Sequence, residues 1–125
     1  MKNDLIKRYA ISKGTITNNW SKPEIEASEL LNGYYQIDDG EMIFSSFDKA
    51  EAEKEFAKYT CDCYLEKTNI GYQANIEYYE LSEEEGEINE NGEFEADYIN
   101  ATPAPFSKEM YKYSGYDGIK GRYYF

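Results

Sequence analysis

The sequence predicts an α+β domain, with a mainly antiparallel sheet and one to two short helices packed on one face. Residues 72–81 alternate between apolar and polar side chains, which is the period of a half-buried strand. Residues 48–59 instead place Ala52, Phe56 and Tyr59 on one helical stripe. Because this stripe is narrow, the helix should cover one face of a sheet. A length of 125 residues is typical of one domain, so residues 1–125 are expected to form one.

The first part of the chain is predicted to contain strands and one short helix. Residues 5–12 suit a strand that ends at Gly14, and residues 15–20 suit a second short strand or a loop. Residues 21–24 (Ser-Lys-Pro-Glu) are typical of a helix start, and residues 32–33 (Asn-Gly) of a helix end. The apolar residues between them are sparse, so we expect about three turns or fewer.

The later elements are predicted from turn and capping residues. Residues 34–37 and 41–47 flank an Asp-Asp-Gly sequence, which predicts a hairpin. Asp48 is a typical N-cap for the helix that follows it. Residues 61–66 have the composition of a strand, and residues 121–125 are predicted to form a last strand at the end of the Tyr-rich C-terminal segment.

An acidic segment, residues 77–97, dominates the charge of the chain. It holds ten Asp and Glu residues and no Lys or Arg, so it carries −10 of the formal net charge of −12. Tyr78, Leu81 and Ile88 are spaced through it, which is not typical of a disordered acidic tail. We therefore predict an ordered acidic β-element.

Asn91 and Gly92 predict a hairpin turn within this segment. A two-residue loop would set Ile88 against Glu95, whereas a three-residue loop sets it against Phe94. We favour the three-residue loop because it brings two apolar side chains together. Gly92 should then adopt the left-handed conformation that this loop requires.

The residue types that carry chemistry argue against an enzyme. The chain has no His, no nucleophile motif and no glycine-rich phosphate or dinucleotide pattern. The stretch from Glu87 to Gly92 mimics the start of a calcium loop, but Tyr98 stands where a bidentate Glu is needed. Cys61 and Cys63 are too few ligands for a zinc site and are expected to be reduced thiols. We therefore predict no catalytic residue, no metal and no cofactor.

The distribution of charge predicts the kind of partner. Residues 1–22 carry +4 and residues 108–125 carry +2, so both ends are basic and the middle is acidic. Nucleic acid and anionic membranes repel such a molecule over most of its surface. We expect a basic protein partner, a nuclease or another nucleic-acid-binding protein, and no direct contact with nucleic acid or membrane. We see neither a signal peptide nor a membrane span and expect a cytoplasmic protein.

Residues 47–53 (Phe-Asp-Lys-Ala-Glu-Ala-Glu) follow the predicted hairpin and precede a Tyr-rich strand and a Glu-rich turn. In this order, and in its short, acidic and cysteine-poor composition, the chain resembles small proteins carried by phages and mobile elements of low-GC bacteria, in the style of anti-CRISPR proteins. The resemblance covers residues 34–98. It implies a small bent sheet with helices and an inhibitor that acts in counter-defence.

The leading hypothesis is an acidic protein-binding inhibitor that imitates nucleic acid and blocks a basic nucleic-acid-handling protein. Carboxylates on one face of a strand recur about every 6–7 Å, which is comparable to the spacing of phosphates along a nucleic-acid strand. The predicted partner-binding residues are Glu77, Tyr79, Glu80, Glu83, Glu84, Glu85, Glu87, Glu93, Glu95 and Tyr98. Two alternatives stay open: an immunity or antitoxin protein that neutralises a basic nuclease toxin, and a non-catalytic structural or assembly module whose charge serves solubility.

Overall fold

The computed structural model describes residues 5–31, 37–113, 115–117 and 122–124. Strands make up 65% of these residues, and they include a single α-helix. The fold is therefore a mainly antiparallel, curled half-barrel sheet with one helix, which is closer to all-β than the predicted α+β class. The strands are β1 (Ile6–Trp20), β2 (Glu24–Glu26), β3 (Ile37–Ser46), β4 (Asp62–Thr68), β5 (Gly71–Ile88), β6 (Phe94–Pro103), β7 (Met110–Lys112), β8 (Gly115–Asp117) and β9 (Arg122–Tyr124), and the helix is α1 (Lys49–Phe56).

The main sheet is built around β5, which is 18 residues long. One edge of β5 pairs with the whole length of β1, from Ile6 opposite Gly86 to Trp20 opposite Tyr72. The other edge is shared, with β4 beside the first part of β5 and β6 beside the second. Strand β3 lies outside β1 and completes five strands, all paired antiparallel. One long strand thus holds two hairpins, one at each end.

The two faces of β5 are covered by different parts of the chain. Even-numbered residues such as Ile76 and Tyr78 form the core face, which packs under Tyr111 from β7. Odd-numbered residues form the helix face, where Tyr79 stacks on Tyr59 with ring centroids 4.9 Å apart. Ala52 of α1 is fully buried, so the helix covers a sheet face as predicted.

Four local predictions are confirmed by the structure. The run at 72–81 is a strand, as part of the longer β5, and residues 62–66 of the strand predicted at 61–66 lie in β4. The carboxylate of Asp48 accepts a hydrogen bond from the Ala50 amide at 3.0 Å, which caps α1. The backbone of Arg122–Tyr124 forms the last strand, while residues 121 and 125 lie outside the described part of the chain.

The predicted helix after residue 21 is wrong. Glu24–Glu26 is instead strand β2, followed by a single 3₁₀ turn at Ala27–Glu29. Ile25 lies directly opposite Tyr111 in β7, and both side chains are buried. Pairing with a strand that lies far along the chain therefore overrides the local helix-start pattern. The predicted helix end at residues 32–33 lies outside the described residues.

The predicted breaks at Gly14 and at residues 38–40 are also wrong, because β1 and β3 each run straight through them. A side chain at Gly14 would collide with Ile37 of the neighbouring strand, so this glycine permits close strand approach. Asp39 has a positive φ of 53° within β3, where the register against β1 shifts. These turn residues thus form a bulge. Residues 34–36 of the predicted hairpin lie outside the described residues.

Candidate partner-binding surface

The second half of β5, its loop and β6 form an ordered hairpin, which we call the acidic hairpin (residues 80–103). Ile88 lies opposite Phe94, and the Asn89 amide donates to the Glu93 carbonyl at 2.8 Å. The Asn89 side-chain oxygen accepts hydrogen bonds from the amides of Asn91 and Glu93 inside the loop. Gly92 has a φ of 80°. The predicted three-residue loop and its left-handed glycine are therefore confirmed.

The strand period divides the predicted binding residues between two faces of the sheet. Glu80 and Glu84 lie on the core face, whereas Glu83 and Glu85 lie on the helix face. On β6, Glu95 and Tyr98 share the helix face because they stand opposite helix-face residues. The predicted residues on the helix face are Glu77, Tyr79, Glu83, Glu85, Glu87, Glu95 and Tyr98. The predicted carboxylates therefore do not all lie in a single acidic row.

Two of the carboxylates are held by basic residues of β1. The guanidinium of Arg8 donates to Glu84 through Nε at 3.3 Å and through Nη2 at 3.0 Å, and Glu84 is 8% exposed. Lys7 donates to Glu83 at 3.0 Å. The pKa of Glu83 is lowered and that of Lys7 is raised, in both cases mainly by this hydrogen bond. Basic residues of β1 thus neutralise part of the acidic segment.

Besides Glu83, which Lys7 holds, three of the predicted residues serve contacts inside the domain. Tyr79 is half-buried and stacks on Tyr59 at the end of the helix segment. Glu80 accepts a hydrogen bond from the hydroxyl of Tyr78 at 2.9 Å. Glu84 is fixed by Arg8, as described above. These side chains are less accessible to a partner than the sequence predicts.

The other predicted residues keep their charge or their ring accessible. Glu93 and Glu95 are exposed, and Glu85 and Glu87 are half-buried. Within the described part of the chain, Glu85, Glu87 and Glu93 form no salt bridge. Glu95 accepts a hydrogen bond from the Asn89 amide group at 3.0 Å. Glu77 is exposed and lies on the same face, further along β5.

Two large side chains of β6 are exposed beside these carboxylates. Tyr98 is 63% exposed and Ile99 is 58% exposed. Tyr98 lies opposite Glu85 and Ile99 opposite Glu84, so the two side chains point to opposite faces. Sequence reasoning missed Ile99, although an uncharged Tyr-Ile-Asn-Ala-Thr run at 98–102 follows the acids directly. Acidic residues and exposed apolar side chains are therefore neighbours at one edge of the sheet.

The described residues include no group of three or more potential metal-ligating side chains. One of the oxygen atoms that suggested a calcium loop, Oδ1 of Asn89, instead accepts two backbone hydrogen bonds within the hairpin turn. Cys61 and Cys63 are free and buried. Desolvation raises the pKa of both thiols, and that of Cys63 reaches about 12. No helix among the described residues is long and apolar enough to cross a membrane.

Comparison of the chain with protein-family models, with curated proteins and with solved structures found no match.

Proposed function

We propose that this protein binds a basic nucleic-acid-handling protein through the acidic hairpin and thereby blocks the groove that holds nucleic acid. The observation that carries the proposal is a group of three carboxylates near the exposed ring of Tyr98, those of Glu85, Glu87 and Glu93. None of them forms a salt bridge with another residue that the structure describes. A buried carboxylate needs a partner, as Glu84 has in Arg8, whereas these accessible carboxylates need none for folding. A positively charged groove would attract them.

The spacing of the helix-face carboxylates supports the imitation of nucleic acid. Glu83, Glu85 and Glu87 follow one another at alternate positions of β5, which sets them about 6–7 Å apart. Glu95 stands directly opposite Glu87 on β6 and widens the row. A basic groove that accepts successive phosphates can accept such a row of carboxylates. The row is anchored on a paired, regular hairpin, so little ordering entropy is lost on binding.

The proposal assigns different roles to the predicted residues. Glu84, Glu80 and Tyr79 stabilise the hairpin and its packing against the rest of the sheet. Glu85, Glu87, Glu93 and Glu95 attract the basic groove, while Tyr98 supplies contact area near the centre of the patch. The function requires no catalytic residue and no cofactor.

The proposal is tested by photo-crosslinking in cells that naturally contain the protein. A benzoyl-phenylalanine residue at position 98 should capture a basic partner, and the captured partner should lose its binding to nucleic acid when the protein is added. The control carries the same residue at position 70, because Ile70 is 89% exposed at the opposite β4–β5 turn. Capture from position 70 but not from 98 would contradict the proposed surface. A partner that binds nucleic acid and this protein together would contradict the blocking mechanism.

A further inference from the structure

Strand β6 is an open edge of the main sheet. Its inner side pairs with β5, and its outer side pairs with no described strand. Nine of its ten residues are exposed, and only Phe94 is half-buried. An exposed edge of this length leaves a row of backbone donors and acceptors available to another chain.

The edge is protected at its two ends, by Pro103 as the last residue of β6 and by a bulge near its start. A bulge between Glu85 and Gly86 leaves Asp97 without a partner on β5, and acids surround this bulge. From Tyr98 to Thr102 the strand carries no charge, no proline and no bulge. Proline, lysine and irregular geometry are the usual means of blocking an edge. At the other outer edge of the sheet, β3 shows register shifts and a left-handed Asp39, so it is a poorer template.

The charge of the neighbouring residues selects the occupant. A second copy of this chain would bring a molecule of formal charge −12 against another of −12, with acidic residues near both ends of the contact. An extended segment with basic side chains would instead find Glu93, Glu95 and Asp97 at one end of the edge. Charge complementarity therefore favours a basic strand over self-association.

We propose that the bound partner contributes an extended segment that pairs with β6 as the next strand of the sheet. The part of the partner's segment that lies beside residues 93–97 of this chain is basic, and the part that lies beside residues 98–102 is uncharged. This inference rests on the proposed function, because it specifies how the basic partner engages the acidic hairpin. Main-chain hydrogen bonds to the edge would supply affinity, and side chains at alternate positions would pack on Tyr98 on one face and on Ile99 on the other.

The test uses three ten-residue peptides of identical sequence, with alternating Val and Thr in one half and two Lys residues in the other. One peptide is unmodified, and the other two carry methyl groups on alternate backbone nitrogens in the two possible phases. In only one of the two isomers do the methyl groups replace the amide hydrogens that face β6. We therefore expect the other isomer to bind like the parent peptide. The isomer without those amide hydrogens should bind at least about tenfold more weakly, because it loses several hydrogen bonds. Amide hydrogen exchange at residues 98–102 should slow with the parent peptide.

A double variant, E93Q/E95Q, separates the two proposals, with E24Q/E26Q as the charge-matched control on β2. If all peptides bind E93Q/E95Q more weakly but the two methylated isomers bind equally well, the proposed function stands and strand addition is overturned. Unchanged binding to E93Q/E95Q would contradict the attraction on which both proposals rest. Failure of the parent peptide to bind at millimolar concentration overturns strand addition. So does a concentration-dependent dimer that protects residues 98–102 without any peptide.

Discussion

Arg8 and Glu84 form a two-pronged ion pair across β1 and β5, with Nη2 of the guanidinium 3.0 Å from one carboxylate oxygen and 3.2 Å from the other. The Cζ atom of Arg8 also lies 4.7 Å from the centroid of the Phe94 ring. Phe94 in turn packs edge-to-face on Phe47, with ring centroids 5.9 Å apart. One arginine thus ties the acidic hairpin to β1 and to the segment that leads into the helix.

Glu84→Gln should destabilise the domain by roughly 1–3 kcal/mol, because it leaves the Arg8 charge without its partner in a largely buried place. The matched control is Glu83→Gln, which should change the free energy of unfolding by less than about 1 kcal/mol, since exposed ion pairs contribute little. Urea denaturation midpoints measure both effects. Equal midpoints for the two variants would show that the pair with Arg8 is not a stabilising contact.

Substitution of Tyr79 should lower the stability of the domain, whereas substitution of Tyr98 should weaken binding of the partner. Tyr79→Leu removes the ring that stacks on Tyr59 and should cost about 1–3 kcal/mol of folding free energy. Tyr98→Leu should leave stability within about 0.5 kcal/mol, because the ring is exposed, and should speed dissociation of the partner. Thermal denaturation and dissociation kinetics provide the two measurements. A large loss of stability in Tyr98→Leu would mean that this ring belongs to the core.

Gly92 should be required for its backbone conformation alone. A side chain at this position would meet no atom within 4 Å, yet the φ of 80° is unfavourable for other residues. Gly92→Ala should therefore cost about 1–2 kcal/mol, and Gly92→Asn should cost less. Gly40→Ala is the control, since a methyl group there makes an ordinary 3.6 Å contact and its φ is not in the left-handed region. If Gly40→Ala is as costly as Gly92→Ala, the positive φ of Gly92 is not what makes glycine necessary there.

The buried thiols should make the domain less stable in alkali. The pKa of Cys63 is about 12 in the folded protein, mainly through desolvation, whereas an exposed thiol has a pKa of about 8.5. Above the lower value the unfolded chain loses its proton first, so stability is complete below about pH 8.5 and is lost as pH rises toward 12. Cys63→Ala should lose less stability than the wild type between pH 8 and pH 10.5. An equal loss in both would show that Cys63 does not contribute to the pH dependence.

The same burial predicts slow reaction of both cysteines with an aromatic disulfide reagent at pH 8 in the native state. Only the thiolate reacts, and neither thiol is accessible. The rate should rise to that of a free thiol in urea. Fast labelling of the folded protein would mean that β4 opens readily from the core.

Features that depend on neighbouring residues could be predicted from the sequence. The alternation of β5, the Asp48 cap and the hairpin at Gly92 each follow from a few adjacent side chains. The helix proposed after residue 21 failed because β2 is formed by pairing with β7, some eighty residues further on. Local propensity cannot report such a contact.

The candidate partner-binding surface could likewise be predicted from the sequence only where it depends on neighbouring residues. Its acids and Tyr98 could be located from composition and from the turn at Gly92. The pairing of Arg8 with Glu84 could not be predicted, because 76 residues separate them and the register of β1 against β5 determines whether they meet. The outer side of β6, which pairs with no strand that the structure describes, is likewise a property of the whole sheet, since it depends on where the other strands lie.

The proposed function predicts which charges control association with the partner. Reversing Glu85, Glu87 and Glu93 to Lys should slow association by at least about tenfold at low salt, because these carboxylates steer the encounter. Glu84 is left unchanged in this variant, since its reversal would place a Lys beside Arg8 and destabilise the hairpin. The control reverses Glu24, Glu26 and Glu29, which gives the same net charge on a distant part of the surface.

Stopped-flow association measured at several ionic strengths distinguishes a local effect from one of total charge. The wild-type rate should fall as salt rises, since exposed charges are screened beyond about 8 Å at physiological ionic strength. The hairpin variant should lose most of this salt dependence, and the control variant should keep it. Circular dichroism at each ionic strength checks that both variants remain folded. If both triple reversals slow association equally, only the net charge matters and the acidic hairpin is not the contact surface.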